Sequence, residues 1–125
     1  AQVHFQLAEL LSKSGKKNDA LNEFKAACHL SPNDQRMLLR KIFSLAEAGK
    51  SKEAELQAKE LCEKFPESIN HLTLLGDVYM VNGNEQDAVE VYTKVIEINP
   101  RTVPALRGLS WLRSRAKNRK IRKTN

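Results

Sequence analysis

The sequence has little of several residue types, and each scarcity argues against a class of protein. Only two cysteines occur, Cys28 and Cys62, whereas a disulfide-stabilised secreted domain normally has more. No uninterrupted apolar run approaches the roughly 20 residues that a membrane-spanning helix needs. We therefore expect free, buried thiols, with a disulfide or a metal ligand as the alternatives, and a location inside the cell, in the cytoplasm or the nucleus.

The composition is that of one ordinary folded domain. The chain has 125 residues, of which 41% are hydrophobic and 29% are charged, so neither disorder nor a membrane protein is indicated. The first residues, from Ala1 to His4, lack the basic start and apolar stretch of a secretory signal. Because the chain does not begin with methionine, this absence says little about a longer parent protein.

Acidic residues are missing from the C-terminal part of the sequence. The chain has 21 basic and 15 acidic residues, but from Arg113 onward there are seven basic residues and no acidic ones. The first 112 residues are therefore nearly neutral, with 14 basic and 15 acidic residues. The net charge of +6 belongs to this basic tail, whose charged residues are Arg113, Arg115, Lys117, Arg119, Lys120, Arg122 and Lys123.

Four interpretations of the basic tail remain open. A solvated helix end is favoured, because cations suit the C-terminus of a helix. The alternatives are a nuclear-import signal, contact with nucleic-acid phosphates, and attraction to an anionic membrane or an acidic partner. The tail has no aromatic residue beyond Trp111, which argues against specific recognition of single-stranded nucleic acid.

Proline and glycine are also scarce, and their positions repeat. Three of the four prolines are 34 residues apart, and three of the five glycines and three alanines recur at the same interval. Glycine suits a helix end that requires a positive φ, alanine lets two helices approach, and proline stops a helix. The repeated positions are Gly15, Gly49, Gly83, Ala20, Ala54, Ala88, Pro32, Pro66 and Pro100.

Between these positions the apolar residues have helical spacing. One apolar stripe consists of Leu7, Ala8, Leu10 and Leu11. The next consists of Leu21, Phe24, Ala27, Cys28 and Leu30. Because no stretch shows the sustained alternation of a strand, the pattern predicts an all-α chain built from helical hairpins.

The repeat resembles the tetratricopeptide repeat (TPR). Residues 69–102 match the family pattern best, with Leu72, Leu75, Gly76, Tyr79, Ala88, Tyr92 and Pro100 at its characteristic positions. Residues 1–34 keep Leu7, Ala8, Leu11, Ala20, Phe24 and Pro32. Residues 35–68 diverge, because Lys41 and Ile42 replace the usual leucine and glycine, and Ala58 replaces the aromatic residue. The resemblance implies a right-handed superhelical solenoid of helix-turn-helix hairpins.

This register divides the chain into successive segments. We expect repeats at residues 1–34, 35–68 and 69–102, the second of them divergent. Residues 103–118 are expected to form a capping helix or a truncated fourth repeat, since a terminal apolar face needs cover. Residues 119–125 are expected to be a basic, frayed tail.

The resemblance also implies a concave groove, lined by the first helix of each hairpin, that binds a peptide or a helix of a partner protein. By register the groove residues are Phe5, Glu9, Arg36, Leu39, Phe43, Asn70, Thr73, Asp77, Met80, Arg107 and Trp111. Several are apolar, which favours a binding surface, while packing between hairpins is the alternative for each. For Trp111, burial, groove contact and contact with a second copy or a continuing chain all remain open.

A known subgroup of the family grips the terminal carboxylate of heat-shock chaperones with lysine, asparagine and arginine side chains. In register, its five positions fall here at Phe5, Glu9, Arg40, Asn70 and Leu74. None of the five residue types is retained, and Glu9 would repel a carboxylate. We therefore predict that the chain does not bind chaperone tails in this way.

Motifs for catalysis and for cofactor binding are absent from the sequence. The histidines are scattered, and no zinc-protease, paired-cysteine, phosphate-loop or serine-nucleophile motif occurs. We expect no enzyme activity, no cofactor and no metal. The leading prediction is a non-catalytic scaffold or adaptor that binds protein. The alternatives are a module that self-associates through its C-terminal helix and an adaptor for nucleic acid or an anionic surface that uses the basic tail.

Overall fold

The computed structural model describes the backbone of residues 2–124 and the side chains of residues 2–119. Seven α-helices and no strand occur in this part of the chain, so the all-α prediction is confirmed. The helices are α1 (Gln2–Lys13), α2 (Lys17–Leu30), α3 (Gln35–Glu47), α4 (Ser51–Lys64), α5 (Ile69–Val81), α6 (Glu85–Ile98) and α7 (Val103–Thr124).

The helices α1, α3 and α5 end in the same way, at the three repeated glycines. Gly15, Gly49 and Gly83 have φ values of 80°, 86° and 81°, a left-handed conformation that glycine adopts without steric cost. The residue after each glycine donates its N–H to the carbonyl five positions earlier, at 2.8 or 2.9 Å. This bonding satisfies carbonyls that a helix end otherwise leaves open, and it reverses the chain into the next helix.

The helices α3 and α5 also begin alike. The side chain of Asp34 accepts the N–H of Met37 at 3.3 Å, and that of Ser68 accepts the N–H of His71 at 3.4 Å. Each cap follows a repeated proline, Pro32 or Pro66, by two positions. The 34-residue period of the sequence is therefore reproduced in both the start and the end of these helices.

The chain divides into two compact units, Ala1–Glu60 (unit 1) and Leu61–Asn125 (unit 2). In unit 1, α1 packs on α2 and α2 packs on α3. The rings of Phe5 and Phe24 meet edge to face, with centroids 5.7 Å apart. These rings lie in a core that also contains Ala8, Ala20, Ala27 and Met37, with Leu11 and Cys28 packed at its margin.

In unit 2, α5 packs on α6, and α7 packs on both. Tyr92 of α6 is among the largest side chains to be almost wholly buried. Other buried residues of this unit are Leu72, Leu75, Val78, Val95, Ala105, Leu109 and Leu112. The buried residues of α7 lie in this core, where the helix contacts α5 and α6.

The apolar stripe predicted on α1 is divided between two faces. Ala8 is buried and Leu11 is half-buried, but Leu7 and Leu10 are exposed, Leu10 by 63%. Val3, which lies one turn before Leu7, is 75% exposed. The residues in the same register of α5 are buried, namely His71, Leu75 and Val78. The spacing alone did not distinguish the two faces, because both are apolar.

The last helix is longer than predicted. It was expected to end near residue 118, but α7 runs from Val103 to Thr124. Arginine and lysine are good helix formers, and their charges favour the negative end of the helix dipole. Arg115 and Arg119 also form ion pairs with Glu85 of α6, which holds this part of α7 on unit 2.

Candidate functional site

The predicted groove residues of α1 are engaged within unit 1. Phe5 is only 5% exposed and belongs to the core, so its predicted place on the surface is wrong. Its ring packs against Phe24, and the guanidinium of Arg36 lies 4.9 Å from its centroid. An edge-to-face contact and a cation–π contact together hold this ring, and neither was visible in the sequence spacing.

Glu9 faces a positive charge from α3. Its carboxylate lies 3.9 Å from Nε of Arg40, and the Arg40 guanidinium lies 5.5 Å from the ring centroid of Phe24. Arg40 therefore bridges an acidic side chain and a buried aromatic ring. Because the Glu9 and Arg40 side chains are 41% and 39% exposed, the ion pair is partly solvated and correspondingly weak.

The remaining predicted residues of unit 1 lie on α3. Arg36 is exposed, with Nη2 donating to Oε1 of Gln2 at 3.5 Å. Leu39 and Phe43 lie one turn apart and are both half-buried. This surface of unit 1 is thus apolar in part, but no large apolar side chain in its predicted groove set is exposed.

In unit 2, Asp77 of α5 is paired with a hydroxyl rather than with a cation. The hydroxyl of Tyr92 donates to Oδ1 of Asp77 at 2.5 Å. The Tyr92 ring fits between Gly76 of α5 and Gly108 of α7. A Cβ atom on either glycine would lie 2.5 Å from the ring, well inside van der Waals contact. The two glycines therefore make the slot that brings the hydroxyl to Asp77.

Burial controls the protonation of this pair. Removal from water raises the pKa of Asp77, and the hydrogen bond from Tyr92 partly offsets that increase. The pKa of Tyr92 is raised strongly by burial and further by the neighbouring Asp77 carboxylate. The Tyr92 hydroxyl therefore stays protonated at neutral pH, and the side chain of Asp77, a predicted groove residue, accepts its hydrogen bond.

Trp111 of α7 is a large apolar side chain of the predicted groove that is exposed. It is the single tryptophan of the chain and is 48% exposed, although Leu109 and Leu112 beside it are buried. A depression of about 500 Å³ adjoins it, lined by Leu106, Arg107, Ser110, Trp111 and Ser114. The sequence left three possibilities open for Trp111: burial, groove contact, and contact with a second copy or a continuing chain. In the structure its side chain is half exposed.

Two arginines, Arg115 and Arg119, lie close to Trp111. The Arg115 guanidinium lies 5.1 Å from the indole ring centroid, and its Nε is 2.7 Å from the carboxylate of Glu85. Arg119 reaches the same Glu85 oxygen at 3.0 Å. A second depression, of about 360 Å³, is lined by Trp111, Ser114, Arg115, Asn118 and Arg119. This part of α7 joins an aromatic face to two guanidiniums that share one carboxylate.

The other predicted residues of unit 2 vary in exposure. Asn70 and Arg107 are exposed, whereas Thr73 and Met80 are half-buried. The hydroxyl oxygen of Thr73 is buried without a hydrogen-bond partner among the described residues. Four residues of the basic tail are exposed on α7, namely Arg113, Arg115, Lys117 and Arg119. Lys120, Arg122 and Lys123 have side chains outside the described residues.

The family model described as Tetratricopeptide repeat matches residues 1–34 and 72–102, which is 65 of the 125 residues. This chain belongs to the tetratricopeptide repeat family. Residues 35–71, which contain the segment predicted to be divergent, lie outside the matched ranges.

Curated relatives of this TPR chain include two much longer proteins. Protein O-mannosyl-transferase Tmtc3 of Drosophila melanogaster is 26% identical over 109 residues, covering 86% of this chain and 12% of the relative. Protein O-mannosyl-transferase TMTC1 of Homo sapiens is 24% identical over 101 residues, covering 81% of this chain and 12% of the relative. The chain thus spans about an eighth of the length of these relatives.

Solved TPR structures share the fold. A thermophilic TPR protein from Thermus thermophilus superposes with a TM-score of 0.76 at 20% identity, over 95% of this chain and 67% of the other. YrrB, a TPR protein with an unusual peptide-binding site, gives 0.69 at 26% identity, over 85% and 55%. The first TPR of Spaghetti (RPAP3), bound to an HSP90 peptide, gives 0.67 at 15% identity, over 93% and 92%.

A polar cluster at the start of α5 was not predicted from the sequence. Nδ1 of His71 lies 2.6 Å from Oγ of Ser68, and the His71 ring stacks on Phe65 with centroids 4.9 Å apart. The thiol of Cys62 donates to the carbonyl of His71 at 3.4 Å. Burial lowers the pKa of His71 and raises the pKa of Cys62. A neutral imidazole and a protonated thiol therefore lie at the start of this helix, next to its cap residue Ser68.

Both cysteines are free thiols, and burial raises the pKa of Cys28 as well. Among the side chains of residues 2–119 there is no group of three or more histidine, cysteine or acidic residues that could hold a metal ion. None of the described helices is both long enough and apolar enough to cross a membrane.

Proposed function

We propose that this TPR chain is a non-catalytic scaffold that binds a peptide or helix of a partner protein on the first helices of its hairpins. The TPR fold is a protein-interaction scaffold, and some structural neighbours bind peptides. Trp111 is the observation that carries the proposal. A half-exposed tryptophan beside arginine, next to a depression in the surface, has the composition of an interface centre.

The binding residues proposed in unit 2 lie on α5 and α7. Arg107 and Trp111 supply exposed charge and apolar area, while Thr73 and Met80 contribute half-buried surface. Asp77 has a positioning role, because its carboxylate is already bonded to Tyr92. In unit 1, Leu39 and Phe43 of α3 are the proposed apolar contacts. A helix or extended segment suits such surfaces, because each helix presents side chains at regular spacing.

We further propose that the ligand is not a free C-terminal carboxylate held in the manner of chaperone tails. Phe5 and Leu74 occupy two of the clamp positions and are buried. Glu9 occupies a third, and its negative charge is only partly offset by Arg40. Tight binding of an acidic tail peptide that is lost when its C-terminus is amidated would contradict this part of the proposal.

The test is affinity capture with the folded chain and two matched variants. Phe43→Ala combined with Trp111→Ala removes the proposed apolar contacts from the first helices. Leu56→Ala combined with Val89→Ala removes comparable exposed apolar area from the second helices, α4 and α6. We expect the first pair to lose most captured partners, by about tenfold or more, and the second pair to retain them.

Circular dichroism should first establish that both double variants are helical and cooperative. The proposal fails if the captured partners are the same with and without Phe43 and Trp111. It also fails if the control variant loses them equally, because the binding surface would then not be specific to the first helices.

A further inference from the structure

The helix α7 differs in charge from the rest of the chain. It has eight basic residues and no acidic one, whereas the remaining sequence has 13 basic and 15 acidic residues. The side chains of Arg107, Arg113, Arg115, Lys117 and Arg119 are all exposed. Such a helix attracts anionic groups, and it repels a partner segment of its own composition.

The large exposed apolar side chains of α7 are Val103, Leu106 and Trp111. Leu109 and Leu112 are buried within unit 2, so they are not available to a partner. Trp111 and Leu106 remain exposed and line one depression together with Ser110. This area suits one large apolar side chain of a ligand, and a tryptophan at its edge gains most from being desolvated.

The arginines next to Trp111 already bind a carboxylate. Glu85 lies within 2.7 Å of Arg115 and within 3.0 Å of Arg119, so one negative charge faces two positive charges. Glu85 therefore pairs with both guanidiniums without neutralising both of them. Ser114 and Asn118 line the same depression and add hydrogen-bonding groups. Arg107, one turn before Trp111, is exposed and lines the other depression together with it.

We propose that α7 binds an acidic segment of a partner protein that carries one large apolar side chain. The apolar side chain lies against Trp111 and Leu106, and the acidic residues on either side of it pair with Arg107 and with Arg115 and Arg119. This inference rests on the proposed protein-binding function, and it adds the chemistry of the ligand and the helix that binds it.

The observations favour a protein over a nucleic acid or a membrane. Bound single strands stack successive bases on several aromatic rings, and Trp111 is the one aromatic residue of α7. Membrane insertion needs a wide apolar face, but Leu109 and Leu112 point into unit 2. Charge alone would serve all three ligands, so the exposed apolar area beside Trp111 decides between them.

The experiment uses the full chain and a fluorescently labelled peptide of about a dozen residues, made of glutamate and alanine with one central phenylalanine. A control peptide has glutamine in place of every glutamate, and a second control has alanine in place of phenylalanine. Because Trp111 is the single tryptophan, its emission reports contact at α7 directly. Anisotropy of the label gives the affinity for variants that lack Trp111.

We expect the acidic phenylalanine peptide to bind, to shift the Trp111 emission, and to weaken as salt rises from about 50 to 200 mM. Either control peptide should bind about tenfold more weakly, as should the Trp111→Ala variant with the parent peptide. Arg107→Gln combined with Arg119→Gln should weaken binding severalfold and reduce its salt dependence. Lys25→Gln combined with Lys52→Gln, exposed changes in unit 1, should have no effect.

Several results would overturn the inference. These are no binding of the acidic peptide at millimolar concentration, equal binding of the glutamine peptide, and binding without a change in Trp111 emission. Tighter binding of a single-stranded RNA or of phosphatidylserine vesicles, competing with the peptide, would overturn it in favour of those ligands. The capture experiment with Phe43→Ala and Trp111→Ala is independent of ligand charge. A neutral captured ligand would therefore contradict this inference and leave the proposed function standing.

Discussion

The two units pair an equivalent carboxylate with different side chains. Positions 9 and 24 of unit 1 are Glu9 and Phe24, and the positions 68 residues later in unit 2 are Asp77 and Tyr92. Each pair combines a carboxylate on a first helix with a buried aromatic ring on the second. In unit 1 the Arg40 guanidinium of α3 contacts both groups. In unit 2 the aromatic ring itself supplies the donor.

One residue that differs between the two arrangements lies on the following first helix. It is Arg40 in unit 1 and Gly108 in unit 2, again 68 residues apart. Arginine covers the Phe24 ring from outside and reaches Glu9, whereas glycine lets the Tyr92 ring approach the backbone. Three register positions differ together, because Gly76, Tyr92 and Gly108 stand where unit 1 has Ala8, Phe24 and Arg40. The carboxylate is therefore paired with a partly solvated cation in unit 1 and with a buried hydroxyl in unit 2.

The largest expected effect comes from closing the slot around Tyr92. Gly108→Ala places a Cβ about 2.5 Å from the ring, and Gly76 prevents the ring from moving to the other side. We expect a loss of about 1–3 kcal/mol in the free energy of unfolding. This loss should appear although alanine normally stabilises a helix by about 1 kcal/mol over glycine. Urea denaturation followed by Trp111 fluorescence measures it in unit 2.

Ser110→Ala is the control for the glycine substitution. It changes an exposed residue of the same helix and should alter the free energy of unfolding by less than about 0.5 kcal/mol. If Gly108→Ala is as stable as the parent, the ring is not held between the two backbones, and the comparison between the units loses its basis.

A smaller effect is expected from removing the hydroxyl. Tyr92→Phe gives unit 2 the aromatic residue of unit 1 but no arginine, so the partly buried Asp77 carboxylate loses its donor. We expect a loss of about 1–2 kcal/mol at neutral pH by urea denaturation. In an Asp77→Asn background the same change should cost clearly less, because the charge that needed the donor is gone.

The pH dependence has a defined sign. Burial raises the pKa of folded Asp77 above its ordinary value of 3.8, so the folded state binds this proton more tightly than the unfolded state does. Its contribution to stability is fully present below 3.8 and is lost as the pH rises through the folded pKa. Tyr92→Phe should extend this loss to higher pH, and Asp77→Asn should remove it. If neither variant changes the dependence of the free energy of unfolding on pH, the Tyr92 hydroxyl does not affect the titration of Asp77.

The smallest effect is expected in unit 1. Glu9→Gln removes a carboxylate whose pairing with Arg40 is long and partly solvated. We expect a change of about 0–1 kcal/mol in the free energy of unfolding. The difference between variant and parent should become smaller in high salt. Glu90→Gln, an exposed change on α6, serves as the reference. A loss larger than that of Tyr92→Phe would reverse the ranking of the two units.

The sequence predicted the helices well because the residues that end them act locally. A glycine at positive φ and a proline near a cap impose the same geometry wherever they stand, so Gly15, Gly49 and Gly83 could be placed from spacing alone. The end of α7 was missed for the opposite reason. Its last turns are basic, and only the structure shows that Glu85 holds Arg115 and Arg119 against unit 2.

The candidate site was harder to predict because it depends on how side chains reach across helices. Register alone put Phe5 on the surface, but a bulky ring next to Phe24 is better buried. Arg40 was considered only as a clamp position, although its long side chain spans both Glu9 and Phe24. The Asp77–Tyr92 bond needed two glycines on different helices, and spacing does not reveal such a coincidence.

The three glycines with positive φ are positions at which a D-amino acid would suit the backbone. A Cβ built at Gly15, Gly49 or Gly83 meets no atom within 4 Å, so an L-residue is disfavoured there by the backbone conformation and not by neighbours. For a D-residue the same φ is the relaxed one. D-alanine at these three turns would fit the fold while narrowing the unfolded ensemble. The chain thus contains three sites, 34 residues apart, at which mirror-image chirality matches the native turn.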